Sequence, residues 1–178
     1  MNAKKFVDEI ASLSPPMSAL ADLGLTNLEA EEFGSMYIAQ LSQNNVKYDD
    51  PILELINNYD CSKLDIAGIQ FIQGFNNSGF LSVAELDTDI IAIQISNQSI
   101  VLLEGENQTH IMSMCAVDGA YFLDALLTVA DFSSKRIFDD KMDTNQDLIL
   151  EIAKECERKS GNNSSLGFYL TLLGYDPE

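Results

Sequence analysis

A chain of 178 residues with 46% hydrophobic content is long enough to bury a core and too apolar to stay disordered. Its formal net charge of −18, from 28 Asp and Glu against 10 Lys and Arg, argues against nucleic acid as a ligand, because a polyanion is held by cations at its phosphates. No apolar run approaches the roughly 20 residues that span a bilayer, and Asp8 and Glu9 interrupt what would be a signal-peptide core after Lys4 and Lys5; one cytoplasmic domain over residues 1–178, with no membrane contact, is expected.

Ala3, Phe6, Val7, Ile10 and Leu13 fall at helical spacing and predict an opening helix, ended by Pro15-Pro16. Thr26 and Glu29 make a capping-box pattern. The helix they start is expected to turn Leu28, Phe33, Met36, Tyr37 and Leu41 inward and to keep Glu29, Glu31 and Glu32 near its positive end. Ser42-Gln43-Asn44-Asn45 reads as the polar loop that closes it, and Asp50-Pro51 caps a short helix over Ile52 to Asn57.

From Lys63 the character changes to strand. The runs are Ile66 to Ile72, a less regular Phe80 to Leu86 beyond the Gly74–Gly79 turn, Asp89 to Ile95, Ile100 to Leu103, and Thr109 to Met114. The links between them are too short for parallel crossovers, so antiparallel pairing is expected. Asp118-Gly119 opens an apolar helix carrying Tyr121, Phe122, Leu123, Leu126, Leu127 and Val129 as far as Phe132, and Ser133 to Asp143 reads as a mixed loop. Thr144 with Asp147 starts a helix to Ser160 with Leu148, Ile149, Ile152, Ala153 and Cys156 on one face, stopped by Gly161; a last helix, Leu166 to Leu173, ends at Gly174. Helices, a strand block, then helices predict an α+β domain with one antiparallel sheet of about four to six strands flanked by helices.

Cys61, Cys115 and Cys156 are far apart, odd in number and in no metal-finger spacing, which predicts free buried thiols. The only histidine, His110, falls inside the Thr109–Met114 run. A Ser-His-Asp or Cys-His device would have to use it, yet Ser113 and Cys115 in neighbouring strand positions are not aimed at it, so it reads as a strand histidine at the sheet surface. Asp143-Thr144-Asn145-Gln146-Asp147 begins like a calcium loop but has Leu148 where Gly is needed and Lys154 where a bidentate Glu is needed. No phosphate-binding glycine loop or nucleophile elbow is present. These readings leave no catalytic residue, no cofactor site and no metal site, and the chain is not expected to be an enzyme.

The distribution of charge is more telling than its sum. Between Leu64 and Ser134 there is no Lys or Arg, while Asp65, Glu85, Asp87, Asp89, Glu104, Glu106, Asp118, Asp124 and Asp131 all fall there. Such a field steers a cationic partner in and raises its on-rate; it also serves to keep a protein in solution with no partner at all. Glu85, Asp87 and Asp89 lead into one strand and Glu104 and Glu106 follow the next, so a regular hairpin brings Asp89 and Glu106 to one end of the sheet. These five carboxylates are the candidate partner-binding residues.

Four stretches carry a family resemblance: Leu28-Glu29-Ala30-Glu31-Glu32-Phe33; Ile90-Ile91-Ala92-Ile93 with Ile100-Val101-Leu102-Leu103; Asp118-Gly119-Ala120-Tyr121-Phe122-Leu123-Asp124-Ala125-Leu126-Leu127; and Cys156-Glu157-Arg158-Lys159-Ser160-Gly161 with Phe168-Tyr169-Leu170-Thr171-Leu172-Leu173-Gly174. Taken in this order they resemble the SUKH superfamily, bacterial toxin-immunity proteins related to a fungal cell-wall synthesis regulator. The chain departs from that pattern in having no Trp and no Leu-Pro-x-x-Tyr opening. The resemblance implies one antiparallel sheet with flanking helices and a binding role: an immunity protein neutralising a cationic toxin effector, for example a nuclease domain of a polymorphic toxin. A structural or regulatory adaptor without a toxin, and an enzyme of unrecognised type, are the alternatives.

Overall fold

The computed structural model describes residues 1–42, 46–161 and 164–176. Asn2 caps helix α1 (Ala3–Ser12) by accepting the Lys5 N–H, and Ala3, Phe6 and Ile10 form its buried stripe. After the proline pair a second helix, α2 (Met17–Asp22), begins where the sequence suggested only a stop: Pro16, at φ −66°, stands immediately before it, and Leu20 anchors it in the interior.

The capping box forms. The Thr26 hydroxyl accepts the Glu29 N–H at 3.4 Å and the Glu29 carboxylate accepts the Thr26 N–H at 2.8 Å. The inward face expected of α3 (Asn27–Ser35) and its continuation holds only in part. Tyr37 is buried and Phe33 packs against the core, as expected, but Leu28 is 65% exposed, Met36 and Leu41 are exposed as well, and Ala30 is buried in their place. The helix ends at Ser35, so Met36 to Leu41 never share its period; Gln40-Leu41 instead forms β1, which pairs with β2 (Tyr59–Asp60) just beyond α4 (Pro51–Asn58) in a small separate ribbon. Of the expected closing loop, residues 43–45 lie outside the described residues. The start of α4 is as predicted: Asp50 accepts the N–H groups of Ile52 and Leu53, with Pro51 in the first turn.

The main sheet holds β3 (Asp65–Ile66), β4 (Ile69–Phe71), β5 (Asn76–Asn77), β6 (Phe80–Leu86), β7 (Asp89–Gln94), β8 (Ile100–Leu103) and β9 (Ile111–Ala116). Six follow the order β3-β4-β6-β7-β8-β9, β5 adds to β6, and every pairing is antiparallel. The expected single strand Ile66–Ile72 is a tight hairpin. Ala67 and Gly68 both take positive φ, 51° and 87°, the conformation that two-residue hairpin loops require, and Asp65 accepts the Gly68 N–H.

Three residues break strict alternation. Val83 in β6 and Met112 and Cys115 in β9 are each the extra residue where the register shifts. A bulge re-aims the side chain it carries: Val83 and Cys115 are turned fully inside, Met112 outward.

One sheet face, with Ala84, Ile91, Ile93, Ile100 and Leu102, belongs to the main core with the helices. The other has a smaller apolar cluster of Phe80, Ile90, Ala92, Val101 and Leu103. Helix α5 (Gly119–Arg136) is the hub, packing on α1, α4 and α7 (Gln146–Ser160). It runs a turn past Phe132, where a loop was expected, and in that turn the Ser134 hydroxyl donates to the Leu13 carbonyl at 2.7 Å. A one-turn helix, α6 (Lys141–Thr144), precedes α7, whose cap is Asn145 rather than Thr144. Gly161 and Gly174, at φ 70° and 77°, end α7 and α8 (Leu166–Leu173) in the left-handed form that a Cβ disfavours. The Tyr169 hydroxyl donates to the Cys115 carbonyl at 3.0 Å and ties α8 to β9. No helix among the described residues is long and apolar enough to cross a membrane.

Candidate functional site

Asp87 and Thr88 are the two-residue turn between β6 and β7, with Leu86 paired to Asp89. Asp87 has φ 53°, a position that favours Gly and that Asp tolerates better than most side chains. One strand further, Ile90 pairs with Leu103, so Asp89 stands opposite Glu104 just past the last rung. The Asp89 carboxylate accepts the Gly105 N–H at 3.0 Å and holds the start of the β8–β9 loop against the β6–β7 turn. Gly105 permits this approach: a Cβ there would overlap the Thr88 carbonyl oxygen and lie 2.9 Å from its carbon.

All five candidate carboxylates therefore come to one end of the sheet, but they do not form one cluster. Glu85 pairs between Gln70 and Ile90 and, by alternation from Asp89's partner Leu86, points to the opposite face. Glu104 pairs with His110 Nδ1 at 3.2 Å, both side chains largely exposed, and Glu106 is exposed in the loop. Asp87 and Asp89 share a groove of about 390 Å³ between the sheet end and α8, which Glu85, Glu104 and Glu106 do not line. Its walls are mostly apolar, Leu86 and Leu102 from the sheet, the bulged Met112, and Phe168 and Leu172 from α8, with Ser113 and Thr171 as polar members. Among the described residues no Lys or Arg lines it, and neither aspartate has an ion-pair partner. The sequence carried no signal for Met112 or the α8 wall, since a bulge leaves no mark in the hydrophobic pattern.

His110 is not in a strand. It lies in the β8–β9 loop, its N–H donating to the Asn107 carbonyl and its own carbonyl accepting from Glu104, with the ring exposed. Nearby Cys115 is fully buried. Burial pushes the thiols of Cys61 and Cys156 up to about 12 and that of Cys115 well above its ordinary value, so none is a ready thiolate near neutrality. Among the described residues no three His, Cys, Asp or Glu side chains are grouped to hold a metal ion. The calcium-like stretch is divided between α6 and the start of α7, with Asp143 beside Arg136 at 3.7 Å.

A second carboxylate constellation sits at the far end of α5. Asp50 is 9% exposed and lies between the N-termini of α4 and α5, accepting N–H groups from Ile52 at 2.7 Å, Leu53 at 3.3 Å and Gly119. Burial pushes its carboxyl above the ordinary value; the three N–H donors oppose the rise and the Asp118 charge adds to it.

Comparison of the chain with protein-family models, with curated proteins and with solved structures gives no match.

Proposed function

We propose that this protein binds a cationic protein partner at the acidic end of its sheet, as an immunity protein would cover a basic toxin domain. The observation that carries this is the groove: two aspartates with no counter-cation among the described residues, beside exposed Met112 and a mostly apolar helix wall. Such a surface combines the long-range field that speeds encounter with apolar area that holds the docked partner. The α+β fold agrees with what the SUKH resemblance implies, though a fold hosts many functions and only the site argues for one.

The test is the association rate of a panel of basic nuclease domains with the wild type and with the combined variant Glu85→Lys, Asp87→Lys, Glu104→Lys. Asp89 is left intact because it holds Gly105. At low ionic strength the variant should associate at least about tenfold more slowly, and the difference should shrink as salt screens the charges. A domain bound by the wild type whose on-rate is unaltered in the variant at low salt refutes the acidic sheet end as the docking surface.

A further inference from the structure

The groove has the two chemistries of one long side chain. Its floor and walls, with Met112, Phe168 and Leu172, suit an aliphatic stem, and its end offers Asp87 and Asp89. Asp89 uses one oxygen on the Gly105 N–H, leaving the second free, and Asp87 forms no hydrogen bond or ion pair with the described residues. About 390 Å³ is at the low end of ligand-pocket volumes, enough for an anchor from a partner rather than a large ligand. We infer that this groove is the receptor for an arginine side chain on an extended basic segment of the partner, its stem along Met112 and Leu172 and its guanidinium between Asp87 and Asp89. Arginine fits better than lysine, since its planar fork satisfies two carboxylates at once and is the more weakly hydrated cation to bring beside apolar walls.

This rests on the acidic sheet end being the partner surface, and the experiment separates the two claims. The isotopically labelled full chain is titrated with acetyl-hexa-arginine amide and, separately, acetyl-hexa-lysine amide, following backbone amide shifts. The arginine peptide should give saturable shifts at residues 87–89, 112–113 and 167–172, and bind more tightly than the lysine peptide.

Two variants test the groove itself. At Gly167, on the α8 wall, an added Cβ meets nothing within 4 Å, so a side chain can start there without a clash; Gly167→Leu adds bulk on that wall and should abolish those shifts, with unchanged amide positions elsewhere showing that the fold is kept. Met112→Ser should weaken binding by about threefold or more at low and high salt alike, because Met112 holds the arginine stem by apolar packing, which salt does not screen. Shifts confined to residues 104–110 and Glu85, indifferent to both variants, overturn the groove and leave the acidic end standing. No localised shift at the sheet end overturns both claims, and equal affinity for the lysine peptide overturns the arginine assignment.

Discussion

Replacing Gly119 by Ala tests the junction on which α4 and α5 are built. The new Cβ would lie 2.5 and 2.6 Å from the two Asp50 carboxylate oxygens, where ordinary contact begins at 3.4 Å. The carboxylate is nearly buried and bonded to Ile52 and Leu53, so it has to leave its donors or push α5 away. Losing the cap of α4 costs about 0.5–2 kcal/mol, and stranding buried N–H groups adds about 1–3 kcal/mol. The better helix propensity of Ala returns up to about 1 kcal/mol. At the middle of these ranges the net loss is about 3 kcal/mol, which at a urea m-value of roughly 2 kcal/mol/M moves the midpoint down by about 1.5 M. Urea unfolding followed by circular dichroism reads it directly. Gly167→Ala, at an exposed helical position with open space for the methyl, is the control and should be neutral or stabilising by up to about 1 kcal/mol. A Gly119→Ala midpoint within about 0.3 M of wild type would show that Asp50 is not held as described.

The same aspartate predicts a pH dependence. Because burial raises the Asp50 carboxyl in the folded state, its protonated form is the one folding favours; that contribution is complete below the ordinary carboxylate value and is lost as pH rises through the raised folded value. The stability of wild type relative to Asp50→Asn should therefore fall across that window in a series of urea titrations, and a relative gain with rising pH contradicts the assignment. At the sheet end, Gly105→Ala should cost about 2–3 kcal/mol, from overlap with the Thr88 carbonyl and loss of the Asp89 bond. Hydrogen exchange should speed up at residues 88–90 and 103–105 first; a variant as stable as wild type means the turn and loop do not touch.

Local chemistry wrote several elements plainly into the sequence. Thr26 with Glu29, Asp50 with Pro51, and Asp118 before its helix are caps whose partners lie within three residues, so they form as read. Gly161 and Gly174 end their helices for the same local reason, a left-handed residue that a Cβ would disfavour. Ile100–Leu103 and Phe80–Leu86 are strands to the residue because apolar runs between turn formers have few other solutions. The acidic span and its gathering at one sheet end were also legible, since antiparallel register follows from short turns.

What the chain could not declare were the features set by distant partners. The face that α3 buries depends on where the chain goes after Ser35, not on its own period. The turn of α5 beyond Phe132 meets the Leu13 carbonyl through Ser134, a contact 121 residues apart in the chain. The groove that joins Asp87 and Asp89 to Met112 and α8 depends on the bulge at Met112 and on how the last helix packs at the sheet end. Alternation along a strand is local, but a bulge and a crossing helix are settled only when the whole core closes, because a single inserted residue reverses every side chain beyond it.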